Sequence, residues 1–165
     1  MKTLLLMRHA KSDWQDAGMR DFDRPLNKRG LRDAPAVGGF LRKQQLRPGL
    51  VLSSPAERAR QTAALVVAAA QLDAAPLYDG RIYEATAAQL AEVVAGADDS
   101  ADVLLLVGHN PGMEDFIGYL TGEARGMPTA ALARVALDIE RWGDVRESCG
   151  RLEWIVKPEE LESVD

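Results

Sequence analysis

Residues 4–9 read Leu-Leu-Leu-Met-Arg-His, and residues 104–109 read Leu-Leu-Leu-Val-Gly-His. Each segment contains a continuous apolar run, which is typical of a strand buried on both faces of a parallel sheet. The sequence contains two histidines, and each lies just past the end of one of these runs. In open α/β sheets, ligands bind outside the carboxyl ends of the strands, so this placement favours a functional role for both histidines.

The rest of the chain alternates short apolar runs with longer amphipathic ones. Residues 50–52 form a third apolar run of the buried-strand type. Helical periodicity covers four further segments, residues 27–45, 55–72, 86–97 and 111–120. Alternating strands and helices with short connections predict an α/β fold. We expect a three-layer sandwich in which a mostly parallel sheet carries helices on both faces.

The C-terminal part of the sequence has a different pattern. Residues 132–139 and 152–156 mix apolar and polar residues in rough alternation, and the turn-rich segment 142–150 lies between them. This pattern predicts a hairpin at one edge of the sheet. The chain has 165 residues and no low-complexity linker. We therefore expect one domain that spans residues 1–165.

The composition excludes several classes of protein. The chain has 20 Lys+Arg against 25 Asp+Glu and a formal net charge of −5, which argues against a surface for nucleic acid or anionic lipid. Its longest apolar run, residues 63–70, is far shorter than the roughly 20 residues that span a bilayer. One cysteine fits a reducing compartment, and the two histidines lack metal-ligand spacing. We expect a cytoplasmic protein with no metal and no cofactor.

Two strand-to-helix junctions carry helix-start signals. At the first junction, Ser54 is predicted to cap the helix, Pro55 suits the first helical position, and Glu57 completes a capping box. At the second junction, Asn110 and Pro111 repeat the cap-then-proline pattern. Each junction places a helix N-terminus at the carboxyl edge of the sheet, where unpaired N–H groups favour anions.

Arginines accompany the two histidines. Arg8 directly precedes His9, and Arg58 lies one turn into the helix that follows residues 50–52. If these arginines converge with His9 and His109, the pocket needs an anion to offset the repulsion. A phosphoryl group suits it, because a guanidinium pairs bidentately with phosphate oxygens. Imidazole is also a competent nucleophile at phosphorus and can carry a covalent phosphoryl group.

Four ordered motifs resemble the histidine phosphatase (phosphoglycerate mutase-like) superfamily. Residues 4–12, Leu-Leu-Leu-Met-Arg-His-Ala-Lys-Ser, are similar to its Arg-His-Gly signature. Agreement continues through residues 24–30 (Arg-Pro-Leu-Asn-Lys-Arg-Gly), 53–62 (Ser-Ser-Pro-Ala-Glu-Arg-Ala-Arg-Gln-Thr) and 108–112 (Gly-His-Asn-Pro-Gly). The similarity covers roughly residues 3–158, and four motifs in order are more specific than one. Within the superfamily the chain most resembles the short SixA-type phosphohistidine phosphatases.

The resemblance implies a role for each matching residue. His9 is the expected nucleophile, Arg8 and Arg58 bind the phosphoryl group, and His109 adds a hydrogen bond to its oxygens. Residues 81–84, Arg-Ile-Tyr-Glu, are similar to the family's Arg-Leu-x-Glu segment. Glu84 is therefore the expected general acid for the leaving group and later the base for water.

The first loop departs from the family pattern at one position. Ala10 stands where the family usually has a glycine after the histidine. Lys11 and Ser12 continue this loop, and we expect both to contact the phosphate. We also expect Thr129, which follows Met127 and Pro128, to face the pocket.

The resemblance implies a phosphatase that acts through a phosphohistidine intermediate. Its expected partner is a phosphorylated substrate, either phosphohistidine on a protein or a small phosphomonoester. Two alternatives stay open, a non-catalytic phosphate-binding or interaction module and a phosphomutase. The mutase is disfavoured, because this short chain has few residues for a lid that excludes water. Residues 21–23, Asp-Phe-Asp, resemble the paired aspartates of haloacid dehalogenase-type phosphatases, but no apolar strand precedes them, which favours a loop.

Overall fold

The computed structural model describes residues 1–161, so the last four residues of the predicted domain lie outside the described part. Six strands form one sheet in the order β3-β2-β4-β1-β5-β6. The strands are β1 (Lys2–Arg8), β2 (Leu50–Ser53), β3 (Pro76–Tyr78), β4 (Val103–Gly108), β5 (Leu132–Leu137) and β6 (Gly150–Val156). The helices are α1 (Lys28–Lys43), α2 (Glu57–Ala70), α3 (Ala87–Ala95), α4 (Gly112–Thr121) and α5 (Pro158–Leu161).

The sheet has the direction pattern that the sequence predicts. β1, β2, β3 and β4 pair in parallel, whereas β5 runs antiparallel to β1 and β6 runs antiparallel to β5. β5 and β6 therefore form the predicted C-terminal hairpin at one edge. Both the α/β class and the mostly parallel sheet are confirmed.

The alternation of side chains along the central strands explains why their sequences are apolar throughout. In β1, Leu4 and Leu6 belong to one buried cluster, whereas Leu5 and Met7 belong to a second cluster. Side chains of α3 and α4 contribute to the first cluster, and side chains of α1 and α2 contribute to the second. A strand whose two faces are both covered by helices needs apolar residues at every position.

The central pair of strands fixes the positions of the two histidines. β1 and β4 pair in parallel register, with Leu4 opposite Leu104 and Arg8 opposite Gly108. His9 and His109 therefore leave the sheet side by side at its carboxyl edge. The His9 N–H donates to the Gly108 carbonyl at 3.0 Å, which continues the ladder by one further bond.

Two short elements were not predicted from the sequence. β3 has only three residues, two of which are exposed, so it lacks a periodic signal. α5 has four residues, which is little more than one turn. No helix within residues 1–161 is long and apolar enough to cross a membrane.

The contact between α1 and α2 depends on Gly38. A Cβ atom built on Gly38 would lie 2.6 Å from the Val66 carbonyl oxygen and 2.7 Å from the Ala69 Cβ atom. The neighbouring Gly39 is exposed, and a Cβ there would meet nothing within 4 Å. Glycine at position 38 is thus required by the close approach of the two helices.

We expect Gly38→Ala to lower the free energy of unfolding by about 1–3 kcal/mol, because the added methyl group forces α1 away from α2. Gly39→Ala is the matched control, and it should raise stability by roughly 0.5–1 kcal/mol, because alanine restricts the unfolded chain. Urea unfolding monitored by circular dichroism measures both. Equal effects of the two substitutions would contradict this account of the packing.

Candidate active site

The two histidines form the centre of the site. Only 7% of His9 and 9% of His109 are exposed to solvent. Their ring centroids lie 5.0 Å apart, and the ring planes are tilted by 55°. The pairing of β1 with β4 thus brings together two residues that are one hundred positions apart in the sequence.

Hydrogen bonds fix the orientation of the His9 ring. Nδ1 lies 2.7 Å from the Ala10 carbonyl oxygen, and a carbonyl oxygen can only accept. Nδ1 therefore carries the hydrogen, and Nε2 carries the lone pair. The Arg58 Nε–H donates to this Nε2 at 3.3 Å. The ring nitrogen that carries the lone pair is thus the one that faces the arginine.

The surroundings of both histidines favour the neutral ring. Burial lowers the pKa of His9 to about 3, and the charges of His109, Arg58 and Arg8 act in the same direction, against the opposing effect of the Ala10 hydrogen bond. Burial, followed by the charge of Arg58, lowers the pKa of His109 to about 4. A neutral imidazole is the nucleophilic form. His9 is therefore in the neutral form at neutral pH.

Arg58 is held by a carboxylate from a distant loop. Its Nη1–H donates to the Asp21 carbonyl at 2.7 Å, and its Nη2–H donates to Asp21 Oδ2 at 3.0 Å. The other carboxylate oxygen, Oδ1, accepts from Arg24 Nη2 at 2.8 Å. Desolvation raises the pKa of Asp21, but hydrogen bonds from Tyr83, Arg24 and Arg58 outweigh it and hold that pKa well below its usual range. Asp21 is a permanent counter-charge for two arginines.

Sequence reasoning did not identify Asp21 as a residue of the site. The segment Asp21–Asp23 forms a short 3-10 turn, in agreement with the loop that its sequence favours. The sequence could have shown that some carboxylate pairs with the arginines of the site, because buried arginines need a negative partner. Nothing local in the sequence shows which of the 25 acidic residues supplies it.

Arg8 ends β1 on the other side of His9. Its Nη1–H donates to the Met127 carbonyl at 3.2 Å. Burial lowers the pKa of Arg8, and the charge of Glu114 opposes this effect. Within the described residues, Arg8 Nε and His109 Nδ1 are buried without a hydrogen-bond partner. Buried polar atoms without partners are rare and are often found at functional sites.

Ser54 supports His109 instead of capping a helix. His109 Nε2 lies 2.7 Å from Ser54 Oγ, which also accepts from the Ala56 N–H at 3.2 Å. The predicted cap is wrong, because α2 begins at Glu57 and its N-cap residue is Ala56. The Ser54 hydroxyl, which the local sequence pattern predicts as the helix cap, instead bonds to His109.

The predicted cap at Asn110 is also wrong. α4 begins at Gly112, and its N-cap residue is Pro111. The Asn110 Nδ2 group instead donates to Glu114 Oε2 and to the Met127 carbonyl, each at 2.8 Å. Because Met127 also accepts from Arg8, Asn110 helps to hold the loop that supports this arginine.

The predicted proton donor, Glu84, lies on a segment that borders the site. Its neighbour Tyr83 packs edge-on against the His109 ring, with centroids 5.4 Å apart. The Tyr83 hydroxyl donates to Asp21 Oδ2 at 2.6 Å. Glu84 itself is exposed and has a left-handed φ of 56°, a conformation that is uncommon outside glycine. Its contact with the reacting group stays a prediction.

The remaining predicted residues take different positions. Ser12 is buried, and its hydroxyl accepts from Arg24 Nη1 at 2.8 Å. Lys11 is half-buried and its carbonyl accepts from the Asn27 N–H at 3.0 Å. Thr129 is half-buried, next to Ala130, whose N–H donates to the carbonyls of residues 8 and 9. The structure thus brings together Arg8, His9, Arg58 and His109. Lys11 and Ser12 follow His9 in the same loop, and Thr129 adjoins Ala130, which is hydrogen-bonded to residues 8 and 9.

Ala10 fits its position without backbone strain. Its φ is not among the positive values of the described chain, so no glycine is required there. Its side chain is fully buried, and its N–H donates to Thr62 Oγ1 at 3.0 Å. The substitution of the family's glycine therefore leaves the loop after His9 intact.

The comparisons with known proteins agree with this geometry. The sequence profile of the histidine phosphatase superfamily (branch 1) matches residues 4–87. An uncharacterized protein of Mycobacterium tuberculosis is 36% identical over 159 residues, which cover 88% of this chain and 96% of that protein. The chain belongs to the histidine phosphatase superfamily and is a phosphatase.

Two solved structures are similar over almost the whole chain. One is a candidate phosphohistidine phosphatase SixA from Agrobacterium tumefaciens, with 30% identity, a TM-score of 0.81, and coverage of 95% of this chain and 98% of that chain. The other is a candidate phosphohistidine phosphatase SixA from Nakamurella multipartitia, with 28% identity, a TM-score of 0.84, and coverage of 95% and 96%. The predicted resemblance to SixA-type proteins is confirmed.

We expect the imidazole protons of His9 and His109 to titrate well below the ordinary pKa of 6.5, at about 3 and about 4. Between these values and pH 6.5 the unfolded chain binds more protons than the folded chain, so stability falls as the pH falls through this window. NMR titration of the ring protons and urea unfolding at several pH values measure the two effects. The control His109→Gln should reduce the pH dependence of stability. Ring titration near pH 6.5 would contradict the assigned burial.

Proposed function

We propose that this phosphatase hydrolyses phosphohistidine on a protein through a covalent phosphohistidine intermediate on His9. The observation that carries the proposal is the buried, neutral His9 ring, whose lone-pair nitrogen Nε2 lies 3.3 Å from Arg58 Nε. The two SixA structures support the substrate class. A small phosphomonoester is the alternative substrate for the same site.

In the first step, His9 Nε2 attacks the phosphorus atom of the substrate. A P–Nε2 bond forms while the bond from phosphorus to the substrate nitrogen breaks. In this proposal protonated Glu84 gives its proton to the leaving imidazole, which ends the step as the neutral ring. The Nδ1–H bond to the Ala10 carbonyl stabilises the positive charge that develops on His9. Arg8 and Arg58 stabilise the charge on the equatorial oxygens of the phosphoryl group.

In the second step, water attacks the phosphorus atom of phospho-His9. The P–O bond forms, the P–Nε2 bond breaks, and the water gives up a proton as inorganic phosphate leaves. In this proposal Glu84 accepts that proton, and His109 donates to a phosphoryl oxygen through a ring N–H. In this proposal Arg8 and Arg58 supply the positive charge that faces the phosphoryl oxygens, so the reaction needs no metal and no cofactor. We place it in the cytoplasm, where the free thiol of Cys149 is compatible with the reducing conditions.

The geometry weighs against both alternatives. A non-catalytic phosphate-binding module gains nothing from a neutral, oriented imidazole beside its arginines, since a charged ring would bind phosphate better. A phosphomutase needs a cover that keeps water from the phosphoenzyme. The loops around His9 supply short turns, such as Asp21–Asp23 and Gly80–Ile82, and we therefore favour hydrolysis.

We expect His9→Ala to abolish turnover, with a loss of about 10⁴-fold or more, because the variant lacks the nucleophile. It should also lose the acid-labile, base-stable phosphoenzyme that brief incubation with labelled substrate and a rapid quench detect in the unaltered protein. The matched control is His109→Gln, which should slow turnover by about 10²–10³-fold yet still form the phosphoenzyme. Unimpaired hydrolysis by His9→Ala would overturn the mechanism.

The substrate class can be tested by comparing rates on two kinds of phosphorylated substrate. We expect kcat/KM for a phosphohistidine-bearing phosphotransfer domain to exceed that for small phosphomonoesters by at least about tenfold, or about 1.4 kcal/mol of transition-state stabilisation.

Glu84→Gln should reduce phosphomonoester hydrolysis by about 10²-fold or more, because an alkoxide needs a proton donor. The control is Glu92→Gln, another exposed carboxylate. Equal rates of Glu84→Gln and its control would exclude Glu84 as the acid.

A further inference from the structure

A surface groove lies beside the site, between the loop that follows His9 and the first turn of α1. Its volume is about 640 Å³. The lining residues that matter for the argument are Lys11, Asp13, Trp14, Lys28, Arg29 and Leu31. None of these residues takes part in the two proposed steps, although the sequence predicts that Lys11 contacts the phosphate, so the groove needs a separate explanation.

The groove presents two large apolar side chains to solvent. Trp14 is 69% exposed and Leu31 is 50% exposed, whereas most large apolar side chains of the protein are buried. The Arg24 guanidinium lies 3.4 Å from the centre of the Trp14 ring, so one face of the indole is supported. Exposed tryptophan next to arginine is typical of the anchor positions of protein interfaces.

The charge of the groove differs from that of the protein. The lining has three basic side chains, Lys11, Lys28 and Arg29, against one acidic side chain, Asp13, on a chain with a net charge of −5. Arg29 also pairs with Asp33 at 3.3 Å, which leaves the two lysines as the main source of positive charge. An acidic ligand complements this surface better than a basic or neutral one.

The groove begins close to the nucleophile. Lys11 is two residues from His9, which places their Cα atoms at most about 7 Å apart. Contacts also connect the two regions, because Arg24 stacks on Trp14 and shares the Asp21 carboxylate with Arg58. A segment lying in the groove would therefore be only a few residues from a phosphorylated side chain that reaches His9.

We propose that this groove binds an acidic segment of the phosphoprotein substrate, adjacent in its sequence to the phosphorylated histidine. An apolar side chain of that segment packs on Trp14 and Leu31, and its carboxylates lie near Lys11 and Lys28. The groove thus selects among phosphoproteins, while the arginines and His9 act on the phosphoryl group alone. This inference rests on the proposed function for its substrate, but not for the existence of the binding surface.

The test uses two chemically phosphorylated histidine peptides. In one peptide a leucine and four glutamates follow the phosphohistidine, and in the other the four glutamates are replaced by glutamines. We expect kcat/KM for the glutamate peptide to be about tenfold higher at low salt. The difference should shrink as ionic strength rises, because Lys28 is exposed and Lys11 is only half-buried. Equal values for the two peptides would overturn the proposal.

Variants locate the effect in the groove. Lys28→Glu should remove most of the preference for the glutamate peptide through a higher KM, whereas Leu31→Asn should raise KM for both peptides, because both carry the leucine. Neither change should affect the hydrolysis of small phosphoramidates. Arg42→Glu is the matched control, since it reverses an exposed charge near the other end of α1. A preference that survives Lys28→Glu, or that Arg42→Glu also removes, would overturn the assignment to this groove.

A binding assay separates this proposal from the proposed function. Fluorescence polarisation with the labelled glutamate peptide that lacks phosphate should show binding that Lys28→Glu weakens, whether or not any peptide is hydrolysed. Loss of hydrolysis with intact binding would count against the catalytic proposal alone. Absence of binding would overturn the groove proposal alone. Sedimentation showing a dimer that Leu31→Asn dissociates would identify a second copy of the chain as the occupant and would also overturn it.

Discussion

The parallel pairing of β1 with β4 is the constraint on which the rest of the site depends. Its register places Arg8 opposite Gly108, so His9 and His109 emerge together at the carboxyl edge of the sheet. A shift of one residue would turn every side chain of a strand to the opposite face. Both faces of β1 and β4 carry apolar residues, so a shifted strand would still present apolar side chains to both buried clusters. The register must therefore be held by the close packing of side chains within these clusters.

Burial of cationic groups around the imidazoles gives the site its chemical character. Burial, reinforced by the charges of His109, Arg58 and Arg8, lowers the pKa of His9 and so keeps its ring neutral. The two arginine charges would be costly without an anion, and Asp21 offsets part of that cost for Arg58. The net charge of −5 is therefore an average over a mainly acidic surface and a small cationic pocket.

Much of the fold and of the site can be predicted from the sequence, because strong signals carry them. The apolar runs of β1 and β4 and the arginine–histidine motif are local patterns. Asp21 has no such pattern, since it meets Arg58 and Tyr83 across 37 and 62 residues. The capping signal at Ser54 is misleading for the same reason, because its hydroxyl bonds His109 from 55 residues away. A local pattern shows that a polar side chain could cap a helix or bind a distant residue, but only the long-range contacts determine which of the two it does.

The hydrogen bond from Arg58 to His9 has a consequence for reactivity. Arg58 Nε–H donates to the lone pair on His9 Nε2, which is the atom that attacks phosphorus in the proposed mechanism. In that mechanism the lone pair stays covered until Arg58 finds another acceptor, and an anionic phosphoryl oxygen of the substrate would provide one. Substrate binding and unmasking of the nucleophile become one event.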